Sequence, residues 1–179
     1  MNATRYACLI ALLFLVGMTT ACGQTMLTDK TYEVAAEDRD FRIDKEAKIS
    51  DTEEAREVLN VLAEYRRSLV RKDFAGVKRL IAEDYYDNGS TTNTTKDDYD
   101  GKALPELFEH IAKHTESIQY QVTVKTVSFK HKRAFVSYEY RYAYQYKVGD
   151  ESSWDAGVEV NQLELVRDKA GAWKIQTGL

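Results

Sequence analysis

Over residues 134–146 the chain alternates without a break. Ala134, Val136, Tyr138, Tyr140, Tyr142, Tyr144 and Tyr146 stand on one parity, and Phe135, Ser137, Glu139, Arg141, Ala143 and Gln145 on the other. Successive side chains of a β-strand point to opposite faces, so each parity occupies one face of a long strand. Only the aromatic face can bear desolvation, because the other carries Glu139, Arg141 and Gln145. Buried tyrosines contribute large apolar area and keep hydroxyls that need partners. Three settings satisfy this ladder: a pocket wall that stacks a planar or apolar ligand, a dimer surface, and a plain core packed on helices. Tyr138, Tyr140, Tyr142 and Tyr144 are its candidate site residues.

The ladder belongs to the second of two regimes. From Ser117 the period is two, with Ile118, Tyr120, Val122 and Val124 before a His131-Lys132-Arg133 turn, and runs at 157–166 and 173–175 after the ladder. Before Ser117 the period is helical. Ala55, Val58, Leu59, Leu62 and Leu69 define a first helix opening at Ser50 or Asp51, each with a glutamate three residues on. Asp73 caps a second helix carrying Phe74, Val77, Leu80 and Ile81, and a third is expected over about 102–114. The polar stretch 87–100 reads as a loop. Helices followed by an antiparallel meander predict an α+β domain with helices on one face of a curved sheet. At 179 residues, 44% hydrophobic and 30% charged, with one proline, the chain has room for one such domain; coiled-coil, collagen and wholly disordered chains are excluded. A net charge of −4 offers no basic field, so no nucleic-acid partner is expected. Two cysteines exclude a disulfide scaffold.

The N-terminus reads as an address. Arg5 precedes the apolar run 8–18, which is shorter than the roughly 20 residues of a membrane-spanning helix. Thr19-Thr20-Ala21-Cys22-Gly23 then resembles the lipobox of bacterial lipoproteins, in which the cysteine is acylated. That resemblance implies a signal peptide over 1–21, lipid attachment at Cys22 and an envelope protein anchored in the outer membrane facing the periplasm. The other reading is an ordinary cleaved signal with Cys22 a spare thiol. The mature chain carries 24 basic and 29 acidic side chains. Residues 22–50 lack a sustained period and read as a solvated tether, with an r.m.s. span of about 30 Å. Alternatively Tyr32, Val34, Phe41 and Ile43 add a strand or helix to the domain proper, 51–179.

Residues 65–84 (YRRSLVRKDFAGVKRLIAED) and the closing Gly171-Ala172-Trp173-Lys174-Ile175 resemble the nuclear transport factor 2-like superfamily. The superfamily includes ketosteroid isomerases, SnoaL-type cyclases and many binding domains. The match rests on an Asp-x-x-Gly turn (Asp73 to Gly76), a short helix ending in Glu83-Asp84, and the last strand. It implies a cone-shaped fold, a bent antiparallel sheet wrapped on N-terminal helices with a pocket at the wide end. In the isomerases an oxyanion-holding tyrosine lies eight residues before that aspartate, and Tyr65 stands there. Their general base lies sixteen residues after it, where this chain has Gly89; the nearest carboxylate is Asp87. Proton abstraction beside a carbonyl needs both groups at hydrogen-bond distance. Tyr65, Tyr85 and Asp87 therefore join the ladder as pocket candidates, and catalysis is not supported.

Other constellations are weaker. His110 and His114 have metal-ligand spacing, but zinc needs a third ligand and His131 is the remaining histidine. Asp84, Asp87, Asp97, Asp98 and Asp100 lack calcium-loop order and read as a solvated acidic rim. No metal or cofactor is expected. The expected function is a lipid-anchored domain that binds a small apolar or aromatic ligand, or a second copy through its sheet. The competing expectation is a small isomerase, dehydratase or cyclase using Tyr65 and Asp87.

Overall fold

The computed structural model describes residues 25–29, 40–89, 95, 96 and 98–179. The signal segment 1–21, Cys22, Tyr32, Val34 and Asp97 lie outside these residues.

Helix α1 (Glu53–Val70) forms where the apolar spacing requires it, burying Ala55, Val58, Leu59, Leu62, Ala63, Tyr65 and Leu69 along one side. Its cap is Thr52, not Ser50 or Asp51. The extended Thr52 backbone lets its hydroxyl accept from the Ala55 N–H at 3.1 Å, while Asp51 is engaged by Arg56 at 2.7 and 2.8 Å. Helix α2 (Phe74–Leu80) starts at the expected Asp73, whose carboxylate accepts from the Gly76 N–H at 2.8 Å. A side chain at position 76 would place its Cβ 2.5 Å from Asp73 Oδ2 and 2.6 Å from Ser68 Oγ, so any larger residue would have to displace the capping carboxylate. Helix α3 (Leu104–His114) begins without a side-chain cap, with Pro105 in its first turn.

The sheet is led at one edge by β1 (Arg42–Ile43), and four longer strands follow it in the order β4-β5-β6-β7. Strands β4 (Thr115–Lys130), β5 (Arg133–Val148), β6 (Glu151–Arg167) and β7 (Trp173–Thr177) form the expected antiparallel meander. Register shifts at 115/117 and 124/126 bend β4. The turn between β4 and β5 holds His131 and Lys132 at φ 51° and 65°, the geometry of a two-residue hairpin. The stretch 87–100 is less irregular than expected, because β2 (Tyr86–Asp87) and β3 (Tyr99–Asp100) pair as a two-stranded ribbon. Three helices on one face of this bent sheet make the α+β cone. One departure from a purely antiparallel sheet is β1 (Arg42–Ile43), which runs parallel to β4 at its edge.

That edge strand corrects the domain boundary. Residues expected in a solvated tether are part of the core: Leu27, Phe41, Ile43 and Ile49 are all buried. The Leu27 N–H donates to the Ile49 carbonyl at 2.8 Å, and the Asp44 N–H to the Val124 carbonyl at 2.9 Å. Asp40 accepts from Arg67 at 2.5 Å. Four apolar side chains removed from water outweigh the absence of local periodicity, and backbone pairing secures them. Residues 25–29 and 40–50 therefore fold with the domain. The alternative reading, a strand added from 32–43, is met at Arg42–Ile43.

Candidate functional site

The ladder lies on the helix-facing side of β5, and its burial is graded. Tyr138 is wholly buried beside Val136 and Ala134, whereas Tyr140, Tyr142 and Tyr144 are only partly buried against the core. The rings step along the strand with centroids 5.9 Å (Tyr138–Tyr140), 5.9 Å (Tyr140–Tyr142) and 5.0 Å (Tyr142–Tyr144) apart. Tyr120 of β4 stacks on Tyr140 at 5.0 Å. The Tyr142 ring lies over Gly157, its register partner on β6; a Cβ there would sit 2.8 Å from the Tyr142 hydroxyl. Tyr140 donates to Glu159 at 2.6 Å. The opposite face is polar, as expected, with Glu139 paired to Lys125 at 3.5 Å and Arg141 at 3.8 Å.

Tyr65 comes from α1 and reaches the same interior, edge-on to Tyr120 at 6.3 Å. Burial first, then its neighbours Tyr138 and Tyr144, hold the Tyr65 hydroxyl well above the usual phenol range. Burial pushes Tyr138 up to about 12, while hydrogen bonds with Tyr120 and Asn161 pull the other way. Burial likewise raises Tyr140, helped by the hydrogen bond to Glu159. These phenols are therefore neutral at physiological pH, available as donors and apolar surfaces.

Tyr85 and Asp87 serve the end of β7, next to the buried foot of the ladder, where Asn161 donates to the Tyr138 hydroxyl at 3.4 Å and to the Gly178 carbonyl at 2.9 Å. Asp87 Oδ2 accepts from the Gly178 N–H at 2.6 Å, the Thr177 hydroxyl at 3.2 Å and Tyr85 at 3.3 Å; Oδ1 accepts from the Gly89 N–H at 2.9 Å. Tyr99 donates to the Leu179 carbonyl at 2.9 Å, and its ring lies 6.0 Å from that of Tyr85. Both Asp87 oxygens are thus committed to holding chain, and no hydrogen bond joins Asp87 to Tyr65. A general base needs a free lone pair aimed at the substrate proton. Tyr65 lines the aromatic interior, and Asp87 latches residues 177–178.

Tyr85 also borders a cleft of about 550 Å³ lined by Lys78, Asp84, Asp100, Lys102 and Leu104 among others. His110 and His114 are exposed, their rings 4.3 Å apart, and among the described residues no group of three metal-ligating side chains occurs. Four contributors to the aromatic face were not anticipated: Tyr120, Gly157, Glu159 and Asp155. Each is fixed by strand pairing, Tyr142 facing Tyr120 and Gly157, Tyr140 facing Glu159, and Tyr144 facing Asp155. The signal in the sequence was the Gly149-Asp150 turn, which sets the register of β6 against the ladder.

Taken together, the bent sheet and the three helices on it define a nuclear transport factor 2-like fold. No protein-family model matches the sequence, and no curated protein matches it. Solved structures do share the fold. A ketosteroid isomerase-like protein from Erwinia carotovora atroseptica superposes with a TM-score of 0.57 at 15% identity, covering 71% of this chain and 94% of that one. A member of the NTF2-like family from Streptomyces avermitilis gives 0.55 at 18% identity, covering 69% and 92%. An NTF2-like protein of unknown function from Pseudomonas putida gives 0.53 at 15% identity, covering 69% and 82%. At these identities the likeness concerns the fold.

Proposed function

We propose that this chain is a lipid-anchored protein of the bacterial envelope whose domain binds a small apolar or aromatic ligand on the tyrosine ladder without transforming it. One observation carries the reading. Tyr140, Tyr142 and Tyr144 stay partly exposed on the side of the sheet that elsewhere forms the core. Aromatic side chains with an apolar body and a polar tip, left open on a concave face, are what small-molecule sites are built from. The competing enzyme reading draws on the likeness to the ketosteroid isomerase-like protein. The commitment of both Asp87 oxygens to backbone and hydroxyl donors weighs against it. A homodimer fits the outer face of β6, where Trp154 is 53%, Val158 59% and Val160 70% exposed.

The test is native mass spectrometry of the full chain purified from its own envelope, beside a Cys22→Ser variant. We expect an adduct that Tyr142→Ala abolishes and release of the Cys22→Ser protein from membranes. An adduct-free protein, or a serine variant still held by the membrane, counts against the ligand or the anchor respectively. A spectrum at twice the chain mass identifies the dimer.

A further inference from the structure

We propose that the tyrosine ladder selects a small organic cation, an alkylammonium or quaternary ammonium group seated among Tyr140, Tyr142 and Tyr144 beside Glu159 and Asp155. This rests on the ligand-binding reading above and names the chemistry of that site.

Around the tyrosines the charge on the helix-facing side of the sheet has one sign. On β5 that side is Ala134, Val136 and the tyrosines; on β6, across the register, it is Leu165, Leu163, Asn161, Glu159, Gly157 and Asp155. On β4 it is Ile118, Tyr120, Val122 and Val124. This stretch holds two carboxylates and no lysine or arginine; Arg167, farther along β6 on the same parity, is taken up by Glu57 and Glu54 of α1 at 2.9 and 3.4 Å. Among the described residues neither Glu159 nor Asp155 has an ion-pair partner, although other strand glutamates do. Glu116 pairs with Lys147 at 3.4 Å, Glu139 with Lys125 at 3.5 Å, and Glu164 with Arg133. Two cations on the surrounding elements are committed elsewhere. Arg66 binds the Tyr120 carbonyl at 2.9 Å and lies 3.6 Å from Asp40, and Lys72 binds the Thr115 carbonyl at 2.8 Å. His110 and His114 on α3 bind one another, Nδ1 of His114 to the His110 carbonyl.

Two unpaired carboxylates beside stepped phenol rings attract a cation twice. The ring quadrupole presents negative charge on its face, and a cation within about 6 Å of a ring centroid is stabilised there. The carboxylates add direct Coulomb attraction, stronger beside apolar surface than in open water. The same two acids raise the phenols beside them: after burial, Asp155 and Glu159 act on Tyr142, and both also act on Tyr144. An anionic ligand meets the opposite field. Glu159 accepts the Tyr140 hydroxyl at 2.6 Å and is hydrogen-bonded to Tyr142 as well, so two ladder hydroxyls orient the carboxylate beside the rings.

Three probes of one branched shape separate charge from bulk: choline, with a quaternary nitrogen at the branch, and 3,3-dimethyl-1-butanol and 3,3-dimethylbutanoate, with a carbon there. Binding is read on the folded full-length chain by tyrosine ring NMR shifts and calorimetry. We expect choline to bind at least about tenfold tighter than the alcohol, about 1.4 kcal/mol, and the anion to bind weakest. Glu159→Gln should erase most of that preference, and Glu164→Gln on the outer face should leave it intact. Equal binding of choline and the alcohol overturns the cation assignment while the ligand-binding reading survives. Tight choline binding that Glu159→Gln leaves unchanged overturns this site. Failure of all three probes to shift the ladder resonances overturns both readings.

Discussion

Asp87 takes four hydrogen bonds on two oxygens, two of them from backbone N–H groups of Gly89 and Gly178. Sequence spacing makes position 87 a candidate for proton transfer; its surroundings make it a clamp for the chain end. The two roles respond differently to an isosteric change. In Asp87→Asn one carboxylate oxygen becomes an NH₂ group, so a donor faces a donor and a buried N–H loses its acceptor. We expect a stability loss of about 1–3 kcal/mol in denaturant unfolding, with ladder ligand binding retained. Unchanged stability with lost binding would return Asp87 to the pocket. Gly157 is the complementary case, a residue defined by what rests on it, the Tyr142 ring.

Strand β5 is two things along its length. Tyr138 is core, while Tyr142 is a wall with an open side. Tyr138→Ala should therefore cost about 3–5 kcal/mol, in the range of large aromatic truncations. Tyr142→Ala should cost no more than about 2 kcal/mol and show mainly as lost binding. Equal costs measured by unfolding midpoint would mean that the ladder is uniform core. The even-odd parity of β5 was readable because period two spans the whole strand, and the Asp73 cap because its chemistry is local. Edge strand β1 was only an open alternative: two residues carry no period, and their partner lies 81 positions away at Val124 along the chain. The carboxylates beside the ladder were hidden for a related reason, since parity places a residue on a face of its own strand and only register brings in the neighbour. The same holds for the Asp87 latch, which closes on Gly178 from 91 positions away.

At the scale of the whole molecule, the buried phenols make the domain a structure of neutral tyrosines. The ordinary tyrosine value is 10.0, and burial holds Tyr138 at about 12 in the folded state, with Tyr65 and Tyr120 displaced the same way. A raised folded value favours the protonated form, so this stability is complete below about pH 10 and drains as pH rises toward 12. The unfolding midpoint should therefore be insensitive to tyrosine ionisation near neutrality and fall steeply across that alkaline window. Tyr138→Phe should blunt the fall, and a midpoint that stays flat to pH 12 would contradict the burial of these hydroxyls. The buried N-terminal segment has a mechanical side as well. The Thr25 carbonyl accepts from Asp51 at 2.7 Å, and Leu27 is wholly enclosed next to Ile49, close to where α1 begins. For a chain lipidated at Cys22, three peptide steps separate the acyl group from that seam, a reach of about 10 Å. Such a protein is moored rather than leashed. Under the proposed anchor, the start of α1 would be held near the lipid, and the domain would be confined to the membrane surface rather than ranging from it on a long tether.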